Sequence, residues 1–175
     1  MFDRNTYIVL ELTKPMSSTI HKIRAEQGDD FQASMPNEIT VAGSSGVGPI
    51  AQDQDPDELF KVIDEIAAST PPITVSFGKA HRFPGTDIVV MKLKDESLVS
   101  SLHQRFADSG IKFQDTDFAY EPHCTLRSKS PLTAEEMEEL SRLKIEGSFT
   151  LQTLSVYAMP PPGKLLYTAR LSSSK

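Results

Sequence analysis

Short apolar runs alternate with amphipathic stretches along the chain, and their spacing predicts its elements. Tyr7-Ile8-Val9-Leu10-Glu11-Leu12 reads as an opening strand closed by Thr13-Lys14-Pro15. A helix begins near Pro15 and Ser17 and carries a short apolar stripe, Ile20 and Ile23, before Gly28. Glu38-Ile39-Thr40-Val41-Ala42 is a second strand. The following Gly43-Ser44-Ser45-Gly46-Val47-Gly48 reads as a flexible loop, because it lacks the Gly-Lys-Ser/Thr ending of a phosphate loop. Asp53, Asp55, Asp57 and Glu58 precede a helix striped by Leu59, Phe60, Ile63, Ile66 and Ala67, where they favour the helix start over metal ligation. Pro71-Pro72 ends that helix and leads into the strand Ile73 to Phe77.

A loop from Gly78 to Gly85 then carries Lys79, His81 and Arg82, ahead of a strand from Thr86 to Leu93. The next helix buries Leu98, Val99, Leu102 and Phe106, with His103 at the edge of the stripe. Thr133-Ala134-Glu135-Glu136 is a capping box that opens a helix with Met137, Leu140 and Leu143 inside. Phe149 to Ala158 alternates as one strand, and Leu165 to Leu171 forms the last, after the loop Pro160-Pro161-Pro162-Gly163. Antiparallel sheets with helices on their outer faces satisfy this order most economically, so the expected class is α+β. A Rossmann array fits less well, for want of its glycine fingerprint.

With 175 residues, 38% hydrophobic and 24% charged, the chain is long enough for one domain or for two similar lobes. Cys124 is the only cysteine, which excludes an internal disulfide and cysteine-rich metal centres. The 18 Lys and Arg stand against 24 Asp and Glu, a net charge of −6 with no basic run. That balance argues against holding a long nucleic acid, whose binding draws on counterion release, but leaves room for a small anionic ligand in a locally positive pocket. No apolar stretch approaches the roughly 20 residues of a membrane span, and the first residues do not resemble a signal peptide. A cytoplasmic protein without membrane contact, monomeric by default, is the expectation.

The segment that carries chemistry is Glu121-Pro122-His123-Cys124-Thr125-Leu126-Arg127. On a strand, His123, Thr125 and Arg127 share one face while Cys124 and Leu126 share the other. An imidazole, a hydroxyl and a fixed positive charge together suit a phosphoryl group. Glu38-Ile39-Thr40-Val41 repeats the polar–apolar–Thr–apolar pattern 85 residues earlier. Two lobes could bring these faces into one anion-holding cavity.

On these residues the chain resembles the two-histidine phosphoesterase superfamily, which includes RNA 2′,3′-cyclic phosphodiesterases and proteins called 2′,5′ RNA ligases. Members carry two His-x-Thr-x motifs, each shortly after a proline. The second motif is present as Pro122-His123-Cys124-Thr125-Leu126; the first reads Pro36-Asn37-Glu38-Ile39-Thr40-Val41, with glutamate where the family places histidine. Phe77-Gly78, Phe83 and Leu165-Leu166-Tyr167 also resemble the family layout, so the likeness runs from about Tyr7 to Leu171. It implies a bilobal, pseudo-twofold α+β body of residues 1–175, with antiparallel sheets lining a central cleft.

The resemblance further implies that His123 serves as an acid–base group and that Thr40 and Thr125 hold phosphate oxygens, with no metal and no cofactor. Glu38 could act as a base, or as an acid if its pKa rose by several units from about 4.3. His81 and Arg82 are candidates to contact the rest of a nucleotide. The expected ligand is a small phosphorylated molecule, a nucleotide or an RNA end. Three readings stay open: a phosphodiesterase acting on 2′,3′-cyclic phosphates or short 2′,5′-linked nucleotides, a degenerate member that binds without turnover, and a structural or protein-interaction domain.

Overall fold

A computed structural model describes residues 2–160 and 162–172, so Pro161 of the expected proline loop lies outside them. Among these residues, eight strands form two antiparallel sheets. The first runs in the order β2-β1-β7-β8, from Glu38–Ala42 (β2), Thr6–Glu11 (β1), Thr153–Ala158 (β7) and Lys164–Arg170 (β8). The second runs β5-β4-β3-β6, from His123–Arg127 (β5), Val89–Leu93 (β4), Ile73–Arg82 (β3) and Ser148–Leu151 (β6). In each, an edge strand bearing the Thr motif pairs with the strand that precedes it, and a helix makes the crossing: α1 (Met16–Glu26) between β1 and β2, α4 (Ser97–Ala107) between β4 and β5.

The pseudo-twofold relation reaches residue level. Glu11 pairs with Glu38 and Val9 with Thr40 in one lobe; Lys92 pairs with His123 and Val90 with Thr125 in the other. Both motif strands break register at the same place: Val41 is the extra residue between Thr40 and Ala42, and Leu126 that between Thr125 and Arg127. The third strand of each sheet comes from the other half of the chain. The first half supplies β3 to the second sheet, and β7 returns from the second half to pair with β1.

The helices follow their caps and stripes. Asp55 caps α3 (Pro56–Ala68) by accepting from the Glu58 N–H at 2.9 Å, and Leu59, Ile63 and Ile66 are buried beneath it. Phe60 stacks instead on Tyr167 of β8, ring centroids 4.2 Å apart. The capping box of α5 (Ala134–Ser141) forms as expected between Thr133 and Glu136.

Three expectations need correction, and one short helix was not anticipated. Gly78 to Arg82 is strand, because β3 continues along β4 past its bulge. Phe149 to Ala158 is two strands in two sheets, since the chain crosses between lobes at Gln152. A short helix, α2 (Asp30–Ser34), stands before β2, where Asp29 caps it by accepting from Gln32 N–H. Leu98 is 55% exposed; Val99, Leu102, His103 and Phe106 form the inner side of α4. Among the described residues, no helix is long and apolar enough to cross a membrane.

Candidate active site

The two motif strands lie side by side where the lobes meet. Each lobe's crossing helix reaches the other lobe's motif strand. From α1, buried Arg24 donates through Nε to the Thr125 carbonyl at 2.9 Å, and through Nη1 to the carbonyls of Gln32, Met35 and Pro36 and to Asn37 Oδ1. From α4, the Nδ1–H of His103 donates to the Val41 carbonyl at 2.7 Å. The His103 ring stacks on Tyr120, centroids 3.7 Å apart, and the Tyr120 hydroxyl donates to the Thr40 carbonyl at 2.8 Å. These reciprocal clamps fix the edges of both motif strands. The pattern of the sequence marks neither Arg24 nor His103 as a functional residue, although a basic side chain on the apolar stripe of a helix is a legible signal for such a buried clamp.

The Gly43–Gly48 loop, read from its sequence as flexible, is tied by hydrogen bonds to the Gln114–Phe118 segment. Gly46 N–H donates to the Phe118 carbonyl at 2.8 Å, and Thr116 Oγ1 donates back to the Gly46 carbonyl at 2.6 Å. Gly46 has φ +69°, and a Cβ there would meet His103 Nε2 at 2.3 Å, so both conformation and space require glycine.

Beside β5 lies a cavity of about 500 Å³ whose lining includes His123, Thr125, Glu121, Ser45, Phe83 and Phe118. His123 Nδ1–H donates to the Glu121 carbonyl at 2.6 Å. That bond fixes the ring and leaves Nε2 as the free nitrogen of the neutral imidazole. Burial lowers the His123 pKa against the raising effect of the Glu121 carbonyl, which favours the neutral base near pH 7. Phe83 meets the His123 ring edge-on at 5.0 Å.

The remaining candidates are distributed as follows. Glu38 and Thr40 sit on neighbouring β2, outside the residues that line the cavity. The Thr40 hydroxyl donates to both Glu38 oxygens, at 3.2 and 3.0 Å. Burial raises the Glu38 pKa to about 7, outweighing the Thr40 hydrogen bond and the Arg24 charge. His81 is the cross-strand partner of Val90, which itself pairs with Thr125, so these three leave one face of the second sheet. Arg82 is tied within its own hairpin, donating to the Thr86 carbonyl at 2.6 Å and to Asp87 at 2.8 Å.

Arg127 overturns the expected polar face. It is 1% exposed, and its guanidinium donates to both Glu136 oxygens (3.2 and 3.1 Å) and to the Pro131 carbonyl at 2.9 Å. The bulge at Leu126 resets the alternation, which turns Arg127 away from His123 and Thr125. Cys124 and Leu126 are fully buried as expected, and burial pushes the Cys124 thiol up to about 12, leaving it inert.

The Glu38 shift carries a stability consequence. A carboxyl with a folded pKa above its unfolded value favours folding most at low pH, and that contribution is lost as pH rises from about 4.5 through about 7. Glu38→Gln is therefore expected to gain roughly 2 kcal/mol over wild type at pH 8 and almost nothing at pH 4.5. Urea unfolding at both pH values measures it; an equal effect at both would refute the buried-carboxyl assignment.

Two antiparallel sheets related by a pseudo-twofold, with a His-x-Thr strand at the seam, define a bilobal phosphoesterase-like body. Residues 15–159 match the 2'-5' RNA ligase superfamily, and the chain belongs to that family. It is 29% identical over 120 residues to a putative phosphoesterase of Geobacillus kaustophilus, covering 67% of this chain and 65% of that one. It is 31% identical over 90 residues to a putative phosphoesterase of Geobacillus thermodenitrificans, covering 51% of each. The alignments thus span about half to two thirds of these relatives. Among solved structures it resembles a protein of Thermus thermophilus (TM-score 0.67, 12% identity, 98% of this chain and 100% of that one). It also resembles Escherichia coli LigT complexed with 3'-AMP (TM-score 0.60, 15% identity, 97% and 99%). At these identities the likeness establishes the fold. Among the described residues, no group of three or more His, Cys, Asp or Glu is arranged to hold a metal ion.

Proposed function

We propose that the protein hydrolyses phosphodiesters of small nucleotides, with 2′,3′-cyclic phosphates or short 2′,5′-linked nucleotides as substrates. One observation carries the reading: His123, anchored through Nδ1 and free at Nε2, stands with Thr125 in a cavity large enough for a nucleotide-sized ligand. The Thr125 hydroxyl donates to a nonbridging phosphate oxygen. Nε2 of His123 takes a proton from water as its oxygen attacks phosphorus; the bond to the leaving oxygen breaks, and that oxygen takes a proton from Glu38 on neighbouring β2 through an intervening water, since Glu38 stands outside the cavity lining. The assignment of acid and base follows the opposed pKa shifts, His123 lowered and Glu38 raised to about 7. In this reading Glu38 stands where the family places its first histidine, and Thr40 orients its carboxyl.

Binding without turnover is favoured by one observation, the engagement of the Thr40 hydroxyl by Glu38, which leaves Thr125 as the hydroxyl free to hold phosphate. Assaying 2′,3′-cyclic nucleotides separates the two readings. The wild type is expected to release a nucleoside monophosphate, and Thr125→Val to slow the reaction about tenfold or more, the loss of a hydrogen bond to a charged group. Phosphate binding with no product after long incubation would leave only the binding role.

A further inference from the structure

With Arg127 turned into the body, the cation expected beside the phosphate is missing from its predicted place. We propose that Lys92 is that cation and that Glu121 holds it until an anion arrives, an inference that rests on the phosphate-binding reading of the His123–Thr125 cavity. Lys92 is the cross-strand partner of His123, so the two side chains leave the same face of the sheet with Cβ atoms about 5 Å apart. Its ammonium forms an ion pair with the carboxylate of Glu121, a residue of the cavity wall. Lys92 itself stands outside the cavity lining, and the pair with Glu121 brings its ammonium to the cavity's edge.

Three of the neighbouring cations are committed elsewhere. Arg24 faces backbone carbonyls behind β5, Arg82 closes its own hairpin, and Arg127 is paired with Glu136. The Lys92–Glu121 pair is half-exposed, with side chains 36% and 34% accessible, and such pairs are weak enough for a phosphate to displace the carboxylate. The pseudo-twofold adds an independent argument. The residue equivalent to Lys92 in the other lobe is Glu11, whose Oε1 accepts from Ser155 Oγ at 2.7 Å and from Tyr157 OH at 3.1 Å. A residue needed only to support this position in the sheet would not have to reverse its charge between lobes. The positive member accompanies His123.

Titration with inorganic phosphate, followed by ³¹P NMR, tests the assignment on wild type, Lys92→Met, Lys92→Arg, Glu121→Gln and Thr125→Val. Lys92→Met is expected to weaken binding about ten- to a hundredfold, and Lys92→Arg to retain most of it. Glu121→Gln keeps the backbone carbonyl that anchors His123 and frees the ammonium, so it is expected to tighten binding several-fold. A purely structural ion pair predicts that Lys92→Met and Glu121→Gln change binding in the same direction, and that result overturns the proposal. It falls alone if Thr125→Val weakens binding while Lys92→Met changes it less than twofold. If wild type takes up no phosphate at tens of millimolar, the underlying cavity reading falls with it.

Discussion

His123→Ala is expected to lower the hydrolysis of 2′,3′-cyclic nucleotides by roughly 10² to 10⁴, the usual loss on removing one positioned acid–base group. The imidazole is aimed by a 2.6 Å bond to the Glu121 carbonyl and bordered by Phe83, so its removal deletes the proton acceptor without touching the clamps behind β5. Folding should persist, because His123 is partly exposed and its alternate neighbours Cys124 and Leu126 carry the core contacts. Initial rates, with circular dichroism to verify the fold, give the answer. An unchanged rate would remove His123 from the chemistry.

The largest stability effect is expected at Arg24. Its guanidinium supplies the donors for four backbone carbonyls and the Asn37 side chain, drawn from β5, α2 and the approach to β2. Arg24→Met fills much of the space but takes the guanidinium donors away from all five oxygens, of which the Gln32 carbonyl keeps the Met35 N–H. Each buried orphan costs about 1–3 kcal/mol, and partial relaxation brings the expected total to roughly 3–5 kcal/mol. Arg24→Lys should recover little, since a single ammonium cannot reproduce the planar fork. Chemical denaturation reads the effect directly; a loss below about 1 kcal/mol would show that the oxygens find water or other donors.

The order of strands and helices, and hence the α+β class, can be read from period and caps. Asp55, Thr133 and Glu136 announce their helices, and the strict alternation of His123, Cys124, Thr125 and Leu126 separates cleft from core. Alternation fails at Arg127 because a single extra residue at Leu126 inverts it, and nothing in the composition of β5 marks a bulge. Lys92 and Arg24 escape for a different reason. The contacts that single them out are with residues about 30 and 100 positions away, brought close only by sheet register and interlobe packing. Glu38 and His123 take equivalent register positions in the pseudo-twofold frame, yet the raised pKa of Glu38 depends on burial that spacing alone does not encode.

The exchange of β3 and β7 between the sheets has a consequence for how the halves depend on each other. A break in the exposed turn at Gly85 would give an N-terminal fragment with a two-stranded ribbon and an unmated strand. Its C-terminal counterpart would have a gap between β4 and β6. Neither fragment closes a sheet by itself, and each holds the strand that the other lacks, so the two are built to reassemble by mutual strand donation rather than to survive as independent halves.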